Sequence, residues 1–147
     1  MIKIAVGPED FDIGAETLRV AGQGGGAIAS FIGQVRDDGK LASLELEHYP
    51  AMTQKALREI AETALSEWPL HAVTIIHRVG ALAVGENIVL VVTGSDHREA
   101  AIESCSFIMD RLKTVATFWK KETRIDGATK WIEERESDIA AAGKWKK

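Results

Sequence analysis

The sequence predicts one domain, residues 1–147, that mixes α-helices with antiparallel β-strand pairs. Three observations carry this. The 147 residues, 46% hydrophobic and 27% charged, suit a single domain with a sizeable core. Short alternating or β-branched runs recur around Gly and Asn turn residues. Apolar residues also recur at helical spacing over 52–68 and again over 101–112. Periodicity of this kind yields elements and faces, not the order in which strands pair.

Taken in order, Ile2 to Val6 alternate as a short strand, and Gly7-Pro8 ends it. A helix is expected around Ala15 to Val20. Gly22 to Gly26 is a glycine-rich stretch read as a flexible turn, and it leads into a strand from Ala27 to Val35 with Arg36 at its far end. Residues 37–40, DDGK, read as a turn, and Leu44, Leu46 and His48 alternate with Glu45, Glu47 and Tyr49 beyond it, which suggests a hairpin. From Met52 to Trp68 one apolar face defines an amphipathic helix, started at Pro50 or Thr53 and stopped by Pro69. Val73 to Val79 and Ile88 to Thr93 form a second antiparallel candidate, joined through Gly80 and a turn at Gly85 to Asn87. Ser95 and Asp96 then cap a helix, with Asp96 and Glu99 spaced as a capping box and Ala101, Cys105, Ile108 and Leu112 as the buried stripe. Lys130 to Glu133 fits another short strand, and the tail from Arg135 is too polar to assign.

Composition excludes several classes. A net charge of −4 and a pI near 5.6 argue against a general nucleic-acid binder, so a basic site has to be a local concentration of charge suited to a small anion. Cys105 is the single cysteine, which rules out an intrachain disulfide and a cysteine-rich zinc site; within an apolar helical stripe it reads as a buried structural thiol. No apolar run reaches transmembrane length and the first residues lack a signal-peptide pattern, so the cytoplasm is the expected location. The glycine-rich stretch has neither the G-K-[ST] of a P-loop nor the spacing of a dinucleotide fold. Neither a G-x-S-x-G elbow nor a Cys–His pair is present. His48 and His77 lie in alternating strands without carboxylate or cysteine at ligand spacing and read as structural, so no metal and no cofactor is expected.

Chemistry concentrates instead in residues 107–122, FIMDRLKTVATFWKKE, where Lys113, Lys120 and Lys121 flank Phe118 and Trp119. If the chain is helical to Lys113 and extended after Thr117, a helix delivers one ammonium and a strand the next to one pocket. The competing reading is a solvated basic edge strand. His97 and Arg98 at a helix N-terminus, with its free N–H groups and positive dipole end, make a phosphate site, or else simple solvent contacts. Arg36 at its strand end completes this cationic set.

Four blocks, GAIASFIGQVR, LELEHYPAMTQKAL, GENIVLVVTGSDHREAA and MDRLKTVATFWKKE, occur in the same order in the large, catalytic subunit of molybdopterin synthase, and the chain resembles that family over nearly its whole length. Two departures are Ala51, where glycine is usual after HYP, and Thr117, where proline is usual before FW. The resemblance implies an α+β fold, an antiparallel sheet with packed helices in an α/β-hammerhead-like domain. It implies a sulfurtransferase that converts cyclic pyranopterin monophosphate into molybdopterin by installing a dithiolene. It further implies a sulfur donor that is a small ubiquitin-like subunit with a Gly-Gly thiocarboxylate, and an assembly that is a homodimer within a heterotetramer.

By position, Lys113 and Lys120 resemble the catalytic pair. Arg36, His97, Arg98, Lys121 and Glu122 resemble the substrate pocket, which Gln34 and Val35 border by backbone. Arg135 resembles an arginine contributed across the dimer interface, so the tail is expected to order only in the dimer. Cations in a partly desolvated site suit a cyclic phosphate and a thiocarboxylate. A lysine there can move a proton or attack the carbonyl carbon, and its charged form stabilises an oxyanion. Glu122 either orients a lysine or forms an ordinary surface ion pair. Two further readings stand beside this one: a non-catalytic docking module for a Gly-Gly tail, and a small-molecule phosphate-binding protein.

Overall fold

A computed structural model of the chain describes residues 1–37, 39–114 and 118–132. Strand β1 (Ile2–Gly7) is followed by α1 (Ile13–Ala21), β2 (Ala27–Gln34), β3 (Leu41–His48) and α2 (Pro50–Glu67). Then come β4 (Leu70–Arg78), β5 (Gly80–Ala83), β6 (Asn87–Ser95), α3 (Arg98–Thr114), β7 (Phe118–Arg124) and β8 (Thr129–Ile132). The strands form two four-stranded sheets, ordered β1-β4-β6-β2 and β5-β3-β7-β8. Among the described residues only β1 and β4 pair in parallel; the other ladders are antiparallel.

The first sheet is covered on both faces, which explains why β4 and β6 are apolar almost throughout. Val73, Ile75, Val89 and Val91 point to one face and pack on Leu57, Ile60, Ala61 and Ala64 of α2 and on Cys105, Phe107, Ile108 and Leu112 of α3. Ala72, Ile76, Leu90 and Val92 point to the other face, where Val20 of α1 closes a second cluster. The second sheet buries one face only. Leu44 and Leu46 of β3 join Val35, Leu41 and Leu82 in a third cluster, while Glu47 is exposed.

The expected antiparallel pair of β4 and β6 is present, with Val73 opposite Thr93 and Ile75 opposite Val91. Gly80, at φ +90°, turns the chain between them into β5 and so into the second sheet. The expected hairpin across residues 37–40 is not formed. Strand β2 pairs with β6, and β3 with β5 and β7, so this segment carries the chain from one sheet to the other. The physical reason lies in the faces: β2 lies in a sheet covered by helices on both sides, whereas β3 alternates apolar and acidic residues and suits a sheet buried on one side. Strand β7 is likewise no edge strand, since β3 and β8 flank it.

Helix α1 is capped by Asp12, whose carboxylate accepts from the Ala15 N–H at 3.0 Å. Pro50 starts α2, and Ala51 sits in its first turn; no described non-glycine residue has positive φ, so alanine there meets no strain. The capping box expected at α3 is replaced by another arrangement. The His97 carbonyl accepts from Ala101 at 3.2 Å and the Ser95 hydroxyl accepts from the His97 N–H at 3.3 Å, whereas the Asp96 carboxylate accepts from His71 Nε2 at 2.7 Å. Thr117, Glu133 and the tail with Arg135 lie outside the described residues.

Candidate active site

Helix α3 packs on β2 and β6 and runs back along them, so that its last turn reaches the end of the first sheet formed by Gln34, His77 and Val89. Lys113 is exposed in that turn. Strand β7 then brings Phe118, Lys120 and Glu122 to one face of the second sheet, opposite His48, Leu46 and Leu44 of β3. The Phe118 ring stacks on His77 with centroids 3.8 Å apart and planes at 16°, and it lies 6.2 Å from the His48 ring. This aromatic contact fastens the second sheet to the first where the lysines converge.

His77 is only 8% exposed. Its Nδ1 lies 2.8 Å from the Arg78 carbonyl, which can only accept, so Nδ1 carries the proton and Nε2 is the free lone pair. Burial pushes the imidazole down to about 3, the charges of Lys120, Lys113 and His48 push in the same direction, and the bond to the Arg78 carbonyl opposes them. The ring is therefore neutral at physiological pH. It forms an uncharged wall close enough to Lys113 and Lys120 to feel both.

The pleat divides the other candidates. Lys121 points to the outer face, in register with Glu45, with its ammonium 5.9 Å from the Trp131 ring. Trp119 shares that face and meets Tyr49 edge-on at 4.8 Å. The Glu122 carboxylate lies 3.5 Å from the Arg124 guanidinium, both partly buried, which is the ion-pair alternative for this residue. At the end of β2 the Gln34 amide donates to Asn87 at 3.0 Å. Val35 is buried, its N–H donating to Glu86 and its carbonyl accepting from Gly85, each at 2.9 Å, and Arg36 follows in solvent.

His97 and Arg98 stand apart from this group. They are exposed at the opposite end of α3, separated from Lys113 by about 22 Å of helix at ~1.5 Å per residue. There they line an open concavity of about 710 Å³ with Gly26, Ala27, Asp96 and Ile102. One copy of the chain thus gathers Gln34, Val35, Arg36, Lys113 and Lys120 at one end and holds His97 and Arg98 at the other. Among the described residues no three His, Cys, Asp or Glu side chains gather to hold a metal ion.

Sequence reading passed over the pairing of His77 with Phe118. Its partners come from different sheets and are far apart in sequence, so local alternation marked His77 only as a structural histidine in a strand. The available signal was its place at the end of the β-branched run Val73 to Ile76, in a strand expected to be buried, where a polar ring needs a specific partner.

Comparison with known proteins agrees with this architecture. The family described as MoaE protein matches residues 6–115. The chain is 50% identical over 148 aligned positions to the molybdopterin synthase catalytic subunit of Brucella melitensis biotype 1, covering 98% of this chain and 91% of that one. It is 48% identical over 147 positions to the molybdopterin synthase catalytic subunit of Escherichia coli K12, covering 97% of each. The fold matches the molybdopterin biosynthesis MoaE protein from Burkholderia ambifaria MC40-6 with a TM-score of 0.85 at 46% identity, covering 99% of this chain and 98% of the other. With a family match over most of its length and relatives this similar along nearly all of it, the chain belongs to the MoaE protein family.

Proposed function

We propose that this chain is the catalytic subunit of a molybdopterin synthase. It transfers sulfur from the thiocarboxylated C-terminus of a small ubiquitin-like subunit to cyclic pyranopterin monophosphate, and so builds the dithiolene of molybdopterin. The observation that carries the reading is the delivery of Lys113 by a helix end and Lys120 by a strand to one place, against the neutral His77–Phe118 wall, in a chain of this family. Lys120 is fixed on a strand and serves as the electrostatic partner of a carbonyl oxygen that gains negative charge. Lys113, on the last helical turn, has the reach to move a proton, or to bond to the carbonyl carbon while the C–S bond breaks and the sulfur passes to the pterin. Glu122 steadies this strand through Arg124, and Lys121 adds positive charge from the outer face.

The lone thiol supports an external sulfur donor. Cys105 is buried in the core and burial pushes it up to about 11, so the chain holds no thiolate of its own for the reaction. The phosphate needs cations, and Arg36 and the His97–Arg98 turn supply them at opposite ends of one copy. A homodimer that brings the His97–Arg98 end of one chain to the lysine end of the other resolves this separation, with Arg135 of the tail reaching the neighbouring site. The edge strand β2, with Ile28 and Phe31 exposed beside exposed Ile102 of α3, suits such self-association. Two small subunits on this dimer make a heterotetramer, and a cytoplasmic location accords with this biosynthetic role.

The test is dithiolene formation from thiocarboxylated small subunit and cyclic pyranopterin monophosphate. Wild type should form product, and Lys113→Ala should lose about 10²–10⁴-fold in turnover while small-subunit affinity stays within a few-fold. Loss of affinity in step with activity would instead mark a docking module.

A further inference from the structure

We propose that His71 is a positioning residue for the turn that presents His97 and Arg98: it draws the Asp96 carboxylate aside from the α3 N-terminus, and Gly24 and Gly26 brace the pair. This rests on the reading that His97 and Arg98 bind the anionic part of the substrate. At the start of a helix, a carboxylate ordinarily turns toward the free N–H groups, where it would compete with an incoming anion. Here it is held elsewhere. His71 Nε2 donates to Asp96 Oδ1 at 2.7 Å, joining the start of β4 to the junction of β6 and α3. The segment is fixed from below as well, since buried Ser95 donates from Oγ to the Pro69 carbonyl at 2.8 Å and accepts from the His97 N–H at 3.3 Å.

The glycine-rich run supplies the independent observation. A Cβ on Gly24 would lie 2.5 Å from His71 Cδ2 and 2.7 Å from Nε2, so this backbone rests on the imidazole. A Cβ on Gly26 would lie 2.5 Å from the Asp96 carbonyl oxygen, and Gly26 has φ +114°. Gly25, between them, has nothing within 4 Å. The run expected to be a flexible turn is therefore closely fitted at the two positions that touch His71 and Asp96, and open at the position that does not.

The experiment uses the assembled synthase with the pterin substrate, and steady-state KM and kcat are measured separately. Turnover by wild type tests the synthase reading itself; the variants are then compared with it. His71→Ala frees the Asp96 carboxylate to occupy the helix N-terminus, and KM should rise about five- to thirty-fold with kcat within about two-fold. The double variant His71→Ala, Asp96→Ala removes the competing carboxylate and should return KM to within about three-fold of wild type. A KM unchanged by His71→Ala, or raised and not restored in the double variant, would overturn the proposal. Should His71→Ala fold poorly, Gly24→Ala and Gly25→Ala decide it: the first should raise KM and the second should not, and equal behaviour of the two would also sink the idea.

Discussion

Lowering the pH from about 7 to about 4.5 is expected to weaken the native state by on the order of 2–3 kcal/mol through His77, which stays neutral in the fold. The imidazole has an ordinary value of 6.5 and is held at about 3 in the fold, first by burial and then by Lys120, Lys113 and His48. Between those values the unfolded chain binds a proton that the native chain refuses. Stability contributed by neutral His77 is therefore full above about 6.5 and is lost as pH falls toward about 3, at roughly 1.4 kcal/mol per pH unit. His77→Phe is the informative control, because it keeps a ring to stack on Phe118 and cannot take a proton. It forfeits the bond to the Arg78 carbonyl, about 1 kcal/mol at every pH, which cancels when each protein is compared with itself. Asp10, held below its ordinary value by the Phe11 N–H, the Asn87 amide and Arg78, loses its own stabilising effect in acid and does so in both proteins. Urea unfolding followed by tryptophan fluorescence at both pH values and fixed protein concentration gives the difference of differences. Equal acid sensitivity in wild type and His77→Phe would refute the account of His77 as a buried neutral ring.

The buried thiol and the one buried carboxylate of α1 give two further expectations. Cys105 at about 11 exposes little thiolate, so near pH 8 a thiol reagent should react about 100-fold more slowly with native protein than with protein unfolded in urea; equal rates would contradict its burial. Glu16, 8% exposed, joins Lys3 at 2.6 Å and Arg19 at 3.3 Å and so ties α1 to β1. Glu16→Gln should lower unfolding free energy by about 1–3 kcal/mol in urea titrations, and a change within error would assign this ion pair no net worth.

The sequence determined by itself what local pattern can encode. Met52 to Trp68 at helical spacing, the stripe Ala101, Cys105, Ile108 and Leu112, and the β-branched runs of β4 and β6 all name a buried face, because side-chain direction repeats every 3.6 or 2 residues whatever the partner. The strings LEHYP and FWKKE likewise carried the family in their residues alone. The tertiary structure decided which strands meet. Period 2 is the same in either sheet, so nothing local distinguished a β2–β3 hairpin from the crossover that occurs. It decided that Asp96 bonds His71 and does not cap α3, since the competing donor comes from β4. It decided that Lys113 shares a wall with Lys120 while His97 and Arg98 sit a helix length away. A helix fixes the distance between its own ends, but which end lies against which strand depends on how the sheets close around it.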